Sequence, residues 1–204
     1  MNISEYNIKD SDIAIIGMAG TFPGADSIDK FWDNIKNGID SITRSENNTH
    51  AKARNFINAF GALENMECFD AAAFDFSEKE AVLLDPQQRL LIETVYEALE
   101  NAGYKSGSSS RTGLFAGADE HYYVWDNYFN TPYRTQEDYY RNRLYLGGSL
   151  TSRISYKLNL TGPSLTVRAA CATSLVTTHM ACQSLLNYEC DIALSGGVNI
   201  YPFQ

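Results

Sequence analysis

An α/β fold with a largely parallel sheet is the fold class that this sequence predicts. Three short apolar runs, residues 13–20, 112–118 and 191–198, show no alternation and contain glycine, which is typical of strands buried on both faces. Helical patterns separate the runs, and strands that alternate with helices indicate a parallel sheet covered in two or three layers. In such sheets the groups that act on a ligand lie at the carboxyl ends of strands.

Bulk composition narrows the function classes. The chain has 204 residues, 44% of them apolar, which is enough for one large domain or two small ones. The 16 Lys and Arg residues against 25 Asp and Glu residues give a net charge of -9, which argues against nucleic-acid binding. The longest apolar runs fall short of the roughly 18 residues that predict a membrane span. The N-terminus lacks a signal-peptide pattern, so we expect a cytoplasmic protein.

Cysteine and glycine spacing argues against bound metals and dinucleotides. Four cysteines without a CxxC pair indicate neither a zinc site nor a disulfide framework. The glycines are not spaced as GxGxxG, which argues against a dinucleotide site. The spacing therefore indicates neither a zinc site nor a dinucleotide site.

The N-terminal part predicts an arm, a domain start and one helix. Residues 1–11 are polar and predict an arm or linker ahead of a domain over 12–204. A helix is predicted over 27–37, because Ser27 can cap its start and Gly38 can end it. Its inward face is predicted to consist of Phe31, Trp32 and Ile35.

The strongest helical pattern begins at Asp85 and ends at Gly103, after a short helix predicted over 77–84. Asp85 suits the cap position, and Pro86 suits the first helical turn. The buried stripe of this helix is predicted to be Leu91, Val95, Leu99 and Ala102. That stripe leaves the triplet 87–89, Gln-Gln-Arg, unexplained.

The middle of the chain carries its densest aromatic stretch. Residues 119–140 contain eight Tyr, Phe and Trp side chains. We interpret them as packed core residues of an inserted segment rather than as the lining of a substrate channel. Residues 141–158 predict a helix broken near Gly147, and Gly162 with Pro163 predicts a turn into the next strand.

Cys171 is the candidate nucleophile. A β-like run over 165–167 stops at two alanines, Cys171 follows, and a helical pattern opens at once. That helix is apolar nearly all round, which predicts burial. The N–H groups at a helix start favour negative charge, and so favour the thiolate of a cysteine placed there. Small neighbours allow a substrate to approach closely, and together these features favour a nucleophile.

A buried structural cysteine is the alternative interpretation of Cys171, because free cysteines are among the most buried residues. The other three cysteines, Cys68, Cys182 and Cys190, have no strand-to-helix context, so we interpret them as structural.

The three histidines do not supply a base for Cys171. His179 lies eight residues further along the same helix, which is about 12 Å at 1.5 Å per residue. This exceeds hydrogen-bond reach, and we predict a packed core histidine there. His50 and His121 stand in irregular stretches of the sequence.

Six blocks of sequence lie in order along the chain. They are IAIIGMAGTFPGA at 13–25, DPQQRLLIETVYEALENAGY at 85–104, RTGLFAG at 111–117, SRISYKLNLTGPSLTV at 152–167, ACATS at 170–174 and ACQSLLNYECDIALSGGVN at 181–199. Together they resemble the β-ketoacyl synthase (ketosynthase) domain of modular type I polyketide synthases, in the thiolase superfamily. The resemblance implies the N-terminal half of a thiolase-like, layered α/β/α domain with a mostly parallel mixed sheet.

The resemblance also implies a function. Cys171 would take an acyl chain from the phosphopantetheine arm of an acyl carrier protein, with its own backbone N–H as an oxyanion donor. The thioester would then accept a carbanion from a decarboxylating malonyl-type extender. The family implies a homodimer, the carrier protein as partner, and neither a metal nor a bound redox cofactor. Its two catalytic histidines, lysine and second oxyanion donor would lie beyond Gln204, so we expect these 204 residues alone to be inactive in condensation.

The segment around the cysteine departs from the family pattern. An acidic residue is usual at the position of Arg168, threonine at Ala169, and serine at Ala172 and Thr173. We interpret Arg168 as pairing with an acidic group across an interface or as retuning substrate choice.

Two other functions stay open beside the elongating enzyme. One is a non-elongating gatekeeper that passes acyl chains on without condensation, and the other is a scaffold that mainly dimerises. A half domain would expose a large apolar surface, so we also expect the 204-residue chain to be poorly soluble by itself.

Overall fold

A computed structural model describes Lys9 and residues 11–44, 57–108, 110–119, 123, 135–136 and 150–200. The helices in this part are α1 (Ile28–Lys36), α2 (Glu78–Leu83), α3 (Pro86–Asn101), α4 (Leu150–Lys157) and α5 (Thr173–Leu186). The strands are β1 (Thr43–Arg44), β2 (Ala59–Phe60), β3 (Thr112–Ala118), β4 (Ser164–Thr166) and β5 (Ile192–Val198). Two 3-10 turns lie at Ala72–Phe74 and Ala170–Ala172.

The main sheet of the described residues has three parallel strands in the order β4-β3-β5. Strand β3 is central, and all seven of its residues are buried. It pairs with β5 over its whole length, from Thr112 with Ile192 to Ala118 with Val198. The apolar run without alternation therefore predicted this buried central strand correctly.

Helices cover both faces of the sheet. On one face, alternate β3 residues pack with α3 and α4 in the main apolar core, which includes Leu114, Ala116, Ile92 and Ile154. On the opposite face lies α5, where the Thr177 hydroxyl donates to the Gly196 carbonyl oxygen at 3.2 Å. The three-layer α/β/α arrangement expected from the sequence is confirmed.

Helix α3 forms where the sequence placed it. The Asp85 carboxylate accepts a hydrogen bond from the Gln87 N–H at 2.8 Å, and Pro86 is the first helical residue. Gly103 follows the helix with φ +77°, a left-handed conformation that glycine adopts without steric cost. Helix α2 begins at the capping box that Ser77 and Glu80 form.

An exposed ion pair joins the starts of two neighbouring strands. The Arg111 guanidinium donates to the Asp191 carboxylate at 3.1 Å, and the Arg111 N–H donates to it at 2.9 Å. The hydrogen bonds from Arg111 hold the pKa of Asp191 below its usual range. The contact fixes where β3 and β5 start relative to one another.

The strand predicted over 13–20 does not form. Among the described residues this segment has no strand pairing, and Ile15, Ile16 and Met18 are 81%, 51% and 57% exposed. Residues 13–20 and β5 line the same cavity of about 690 Å³. The cavity separates the segment from the outer edge of β5, so the two do not pair as strands. Apolar composition alone cannot make a strand, because the backbone also needs a neighbour for its hydrogen bonds.

Three further burial predictions are wrong. In α1, Trp32 and Ile35 are 57% and 52% exposed, although Phe31 stacks on Phe22 at 4.1 Å. In α5, Leu175 is 78% exposed, and the buried positions are Thr177, Ala181 and Ser184. Strand β5 is half-buried rather than buried. In each case no other element of the described ranges covers the exposed face of the helix or strand. Local periodicity cannot show whether an apolar face is covered.

Some predictions fall outside the described residues. These include nearly all of the arm at 1–11, the aromatic stretch at 119–140 except residues 119, 123, 135 and 136, and the helix break near Gly147. The turn at Gly162 does lie within them, and its N–H donates to the Thr112 carbonyl oxygen at 2.9 Å. No helix in the described ranges is long and apolar enough to cross a membrane.

Candidate active site

The candidate nucleophile lies in a tight turn between β4 and α5. Beyond the last residue of β4, the Val167 N–H still donates to the Ala116 carbonyl oxygen at 3.0 Å. The 3-10 turn Ala170–Ala172 follows, and α5 begins directly after it. Cys171 is the middle residue of that turn and is exposed. This placement contradicts the alternative of a buried structural cysteine.

The helix start beside Cys171 has no side-chain cap. Ala172 occupies the cap position of α5, where no side chain accepts a hydrogen bond, and the first turn holds no acidic residue. The N–H groups of an uncapped helix start carry partial positive charge and can bind an anion. A thiolate or an oxyanion at Cys171 would lie at this end of the helix.

Thr173 closes the cysteine turn. Its hydroxyl accepts a hydrogen bond from the Ala169 N–H at 3.0 Å and donates one to the Ala170 carbonyl oxygen at 2.8 Å. Ala170 has a φ of +46°, in the left-handed region that residues other than glycine seldom occupy. The residue directly before the cysteine is therefore held in an uncommon conformation, with bonds to Thr173 on both sides of it.

Gly117, near the end of β3, packs directly against the cysteine turn, and we call this contact the floor of the turn. A Cβ at this position would lie 2.1 Å from the Val167 carbonyl oxygen and 2.4 Å from the Thr173 methyl carbon. Both distances are far below van der Waals contact, so only glycine lets β3 approach the turn this closely. The carboxyl end of the central strand and the cysteine turn are in direct contact.

Arg168 contacts the main chain rather than an acidic side chain in the described part of the structure. Its guanidinium donates to the carbonyl oxygen of Asp119, just beyond β3, at 3.5 Å. Asp119 is also bonded through its N–H, which donates to the Gln87 Oε1 atom at 3.2 Å. Arg168 itself is exposed, so its expected pairing across an interface stays a prediction.

The triplet at 87–89 is explained by buried contacts that the sequence analysis missed. Gln87 and Gln88 are each only 2% exposed. The Gln88 Oε1 atom accepts a hydrogen bond from the Arg153 guanidinium. Arg89 donates to the Leu84 carbonyl oxygen at 2.8 Å. The sequence shows two adjacent glutamines at the start of an amphipathic helix but not their burial, and it is the burial that makes partners necessary.

His179 is exposed on α5, so its predicted place in the core is wrong. The helix face that carries it has no cover from the described residues. His179 lies six residues after Thr173, the first residue of α5, which is a rise of about 9 Å at 1.5 Å per residue and exceeds hydrogen-bond reach of the cysteine turn. His50 and His121 lie outside the described residues.

The other cysteines lie apart from this turn. Cys190 is buried, and its Sγ atom donates to the Ser184 hydroxyl at 3.5 Å. Cys182 is half-buried, whereas Cys68 is exposed, which does not fit a packed structural role. In the described ranges no three His, Cys, Asp or Glu side chains come together as metal ligands would.

Comparison with known proteins now identifies the family. The family model described as the β-ketoacyl synthase N-terminal domain matches residues 10–202. The chain belongs to the β-ketoacyl synthase family. The resemblance inferred from the six sequence blocks is therefore confirmed.

Several ketosynthases and polyketide synthases are similar to this chain. The polyketide synthase ThaG of Burkholderia thailandensis is 37% identical over 92% of the chain, and PksM of Bacillus subtilis is 36% identical over 93%. The ketosynthase from module 1 of the bacillaene synthase of Bacillus amyloliquefaciens superposes with a TM-score of 0.85 at 35% identity over 96% of the chain. This structural similarity to a solved ketosynthase confirms the thiolase-like fold.

The chain matches only part of each relative. It spans 4% of ThaG, 5% of PksM and 36% of the solved bacillaene ketosynthase chain. Membership of the β-ketoacyl synthase family thus applies to this chain, whereas the activity of a whole polyketide synthase does not follow from it.

Proposed function

We propose that this chain carries the acyl-accepting cysteine of a polyketide ketosynthase. The single observation that supports it most is the placement of Cys171: exposed, in a braced turn, directly before an uncapped helix start. Such a position leaves the sulfur accessible to a thioester and places it beside backbone amides that can bind an oxyanion. Membership of the β-ketoacyl synthase family gives this chemistry its substrate class.

The proposed first step is a transthioesterification. The Cys171 thiolate attacks the thioester carbonyl of an acyl chain carried on the phosphopantetheine arm of an acyl carrier protein. The tetrahedral oxyanion is stabilised by backbone N–H groups at the start of α5, including that of Cys171, which is a type of contact often worth a few kcal/mol. Collapse releases the carrier thiolate and leaves the acyl group on the Cys171 sulfur.

The proposed second step forms a carbon–carbon bond. A malonyl-type thioester loses CO2 to give a carbanion, which attacks the Cys171 thioester and regenerates the cysteine thiolate. Decarboxylation needs polar groups close to the sulfur, and His179 is too far along α5 to serve. We therefore assign that part of the chemistry to residues other than the described histidine.

Acyl carrier protein is the partner that this chemistry requires. We further propose a homodimer that forms along the edge of β4 that pairs with no strand in the described residues, where Leu165 is 42% exposed and Thr166 is exposed. An unpaired strand edge presents backbone N–H and C=O groups that can pair with a second copy. A cytoplasmic location is the remaining expectation.

Mass spectrometry of the natural full-length polypeptide tests the proposal. After incubation with an acetyl thioester of N-acetylcysteamine, we expect the acetyl mass on the peptide that contains Cys171. Cys171→Ala should abolish this labelling, whereas Cys182→Ala, on the same helix, should leave it unchanged. Labelling that persists at full level in Cys171→Ala would contradict the proposal.

A non-elongating gatekeeper is distinguished by a second assay on the same acylated protein. Addition of a malonyl thioester should give CO2 and a β-ketoacyl product if the protein elongates. Acyl transfer to Cys171 without CO2 release would instead support the gatekeeper. No acylation in either arm would leave a dimerising scaffold as the better account.

A further inference from the structure

The side chain of Thr173 bridges two peptide units before the cysteine, the one that joins Arg168 to Ala169 and the one that joins Ala170 to Cys171. Its hydroxyl accepts from the Ala169 N–H at 3.0 Å and donates to the Ala170 carbonyl oxygen at 2.8 Å. Both distances lie in the range of well-formed hydrogen bonds. One hydroxyl thus satisfies a donor and an acceptor of the main chain immediately before Cys171.

Of the two residues that this bridge spans, Ala170 is the one whose backbone conformation needs support. Ala170 has φ +46°, and an alanine in this region is disfavoured unless its surroundings hold it there. The same conformation turns the chain from the direction of β4 into the 3-10 turn that carries Cys171. If Ala170 relaxed to negative φ, the Cys171 amide and sulfur would point elsewhere.

The methyl group of Thr173 is confined as well. It lies 2.4 Å from the place where a Cβ on Gly117 would be, so the threonine is seated directly on the glycine of the central strand. The hydroxyl therefore cannot rotate away without moving the methyl group into the floor of the turn. Thr173 and Gly117 together restrict the turn from two sides.

We propose that Thr173 is a positioning residue for Cys171, acting through its hydroxyl bridge across Ala169 and Ala170 while its methyl group packs against Gly117. This inference rests on the proposed function, since it concerns the reactivity of the acyl-accepting thiol. Both hydrogen bonds of the Thr173 side chain are to the backbone, so it acts on the thiol through the main chain. The general consequence is that the hydroxyl, not the size of the side chain, sets the reactivity of Cys171.

Two substitutions separate the hydroxyl from the shape of the side chain. Thr173→Val keeps the branched shape and removes both hydrogen bonds, whereas Thr173→Ser keeps the hydroxyl and removes the methyl group. Thr178→Val is the matched control, because it removes from the same helix a hydroxyl that donates to the Ser174 carbonyl oxygen at 2.8 Å, away from the cysteine turn.

The readout is the rate at which iodoacetamide alkylates each cysteine of the natural full-length polypeptide, measured by peptide mass spectrometry. Cys68 is also exposed and serves as an internal reference. We expect Thr173→Val to slow alkylation of Cys171 roughly tenfold relative to Cys68, in line with the loss of two hydrogen bonds. Thr173→Ser and Thr178→Val should stay within about twofold of the unmodified protein.

The outcomes separate this inference from the proposed function. A Thr173→Val protein whose Cys171 reacts as fast as before would overturn the inference, and so would a Thr173→Ser protein as slow as Thr173→Val. Equal changes at Cys68 and Cys171 would indicate general unfolding and would equally refute a local role. If the alkylation pattern is as expected but acetyl thioester never labels Cys171, the positioning role stands and the proposed acyl transfer fails.

Gly117→Ala tests the second contact. The added methyl group would collide with the Val167 carbonyl oxygen, so the turn must shift away from β3. We expect the ratio of Cys171 to Cys68 alkylation to fall at least as far as in Thr173→Val. A ratio equal to that of the unmodified protein would show that the floor of the turn does not position the thiol.

Discussion

The starts of helices α3 and α5 serve opposite purposes. At α3, the buried Asp85 carboxylate caps the helix through the Gln87 N–H, and Pro86 takes the first position. At α5, an alanine stands at the cap position without any side-chain acceptor, and the residue before it is the exposed Cys171. One start is closed by the chain's own side chain, and the other is left open.

The capped start of α3 contributes to stability, whereas the uncapped start of α5 is available for reactivity. A capped start satisfies amide donors within the protein and stabilises the helix, typically by about 1 kcal/mol. An uncapped start gives up that stabilisation, and its free amides can instead bind an incoming anion. On this account α3 anchors the core, and α5 offers its amides to the thiolate and to the oxyanion of the reaction.

Removal of the closed cap should have the largest effect on stability. We expect Asp85→Ala to lower the free energy of unfolding by about 1–2 kcal/mol, because the buried Gln87 N–H loses its acceptor. Chemical denaturation of the natural polypeptide would measure this. Asp29→Ala, in the exposed first turn of α1, is the control and should change the same quantity by less than about 0.5 kcal/mol. Equal effects of the two substitutions would contradict the assigned role of Asp85.

Introducing a charge at the open start should lower reactivity. Ala172 is exposed, so Ala172→Asp can place a carboxylate beside the same amides that would stabilise a Cys171 thiolate. Charges at exposed helix ends are worth about 0.3–1 kcal/mol, so we expect alkylation of Cys171 to slow roughly two- to fivefold. The neutral isostere Ala172→Asn is the control. If both variants react at the same rate, competition for the amides is not the cause.

Helix α2 gives the smallest effect and a test of pH dependence. The pKa of Glu80 lies below its usual value because the Ser77 N–H and hydroxyl donate to its carboxylate. Because the pKa of Glu80 is lower in the folded state, ionised Glu80 stabilises the fold at pH values above its ordinary pKa of about 4.5. This stabilisation is lost as the pH falls through the pKa of the folded state. The group is exposed, so a few tenths of a kcal/mol are expected.

The measurement is the free energy of unfolding of the natural polypeptide and of Glu80→Gln between pH 6 and pH 3. The stability difference between the two proteins should shrink on acidification, since protonation of Glu80 removes the same interaction as the substitution. A difference that stays constant or grows as the pH falls would rule out the capping-box explanation.

Local signals in the sequence predicted the closed elements well. The cap at Asp85 and the glycine after α3 could be predicted because adjacent residues make these contacts themselves. The exposed faces of α1 and α5 could not be predicted, because the periodicity of Trp32 or Leu175 shows which side is apolar but not whether anything covers it. The same limit applies to residues 13–20, whose strand character depends on a neighbour.

The candidate site was only half predictable for a similar reason. Cys171 stands out from its position between a strand and a helix, which is a pattern in the sequence. The support of its turn is tertiary, since Gly117 lies more than 50 residues before the cysteine and meets it only through packing of β3. Likewise, the buried pairing of Gln88 with Arg153 joins distant elements and could not be deduced from the triplet alone.

The most direct test compares two exposed thiols in one sample of the natural polypeptide. Acetyl thioester is added in limiting amount, and the acetyl occupancy of the peptides that contain Cys68 and Cys171 is followed over time. If an open helix start makes a cysteine an acyl acceptor, Cys171 should be acetylated first, while Cys68 stays essentially unlabelled. Equal acetylation of both thiols, or earlier labelling of Cys68, would contradict the account.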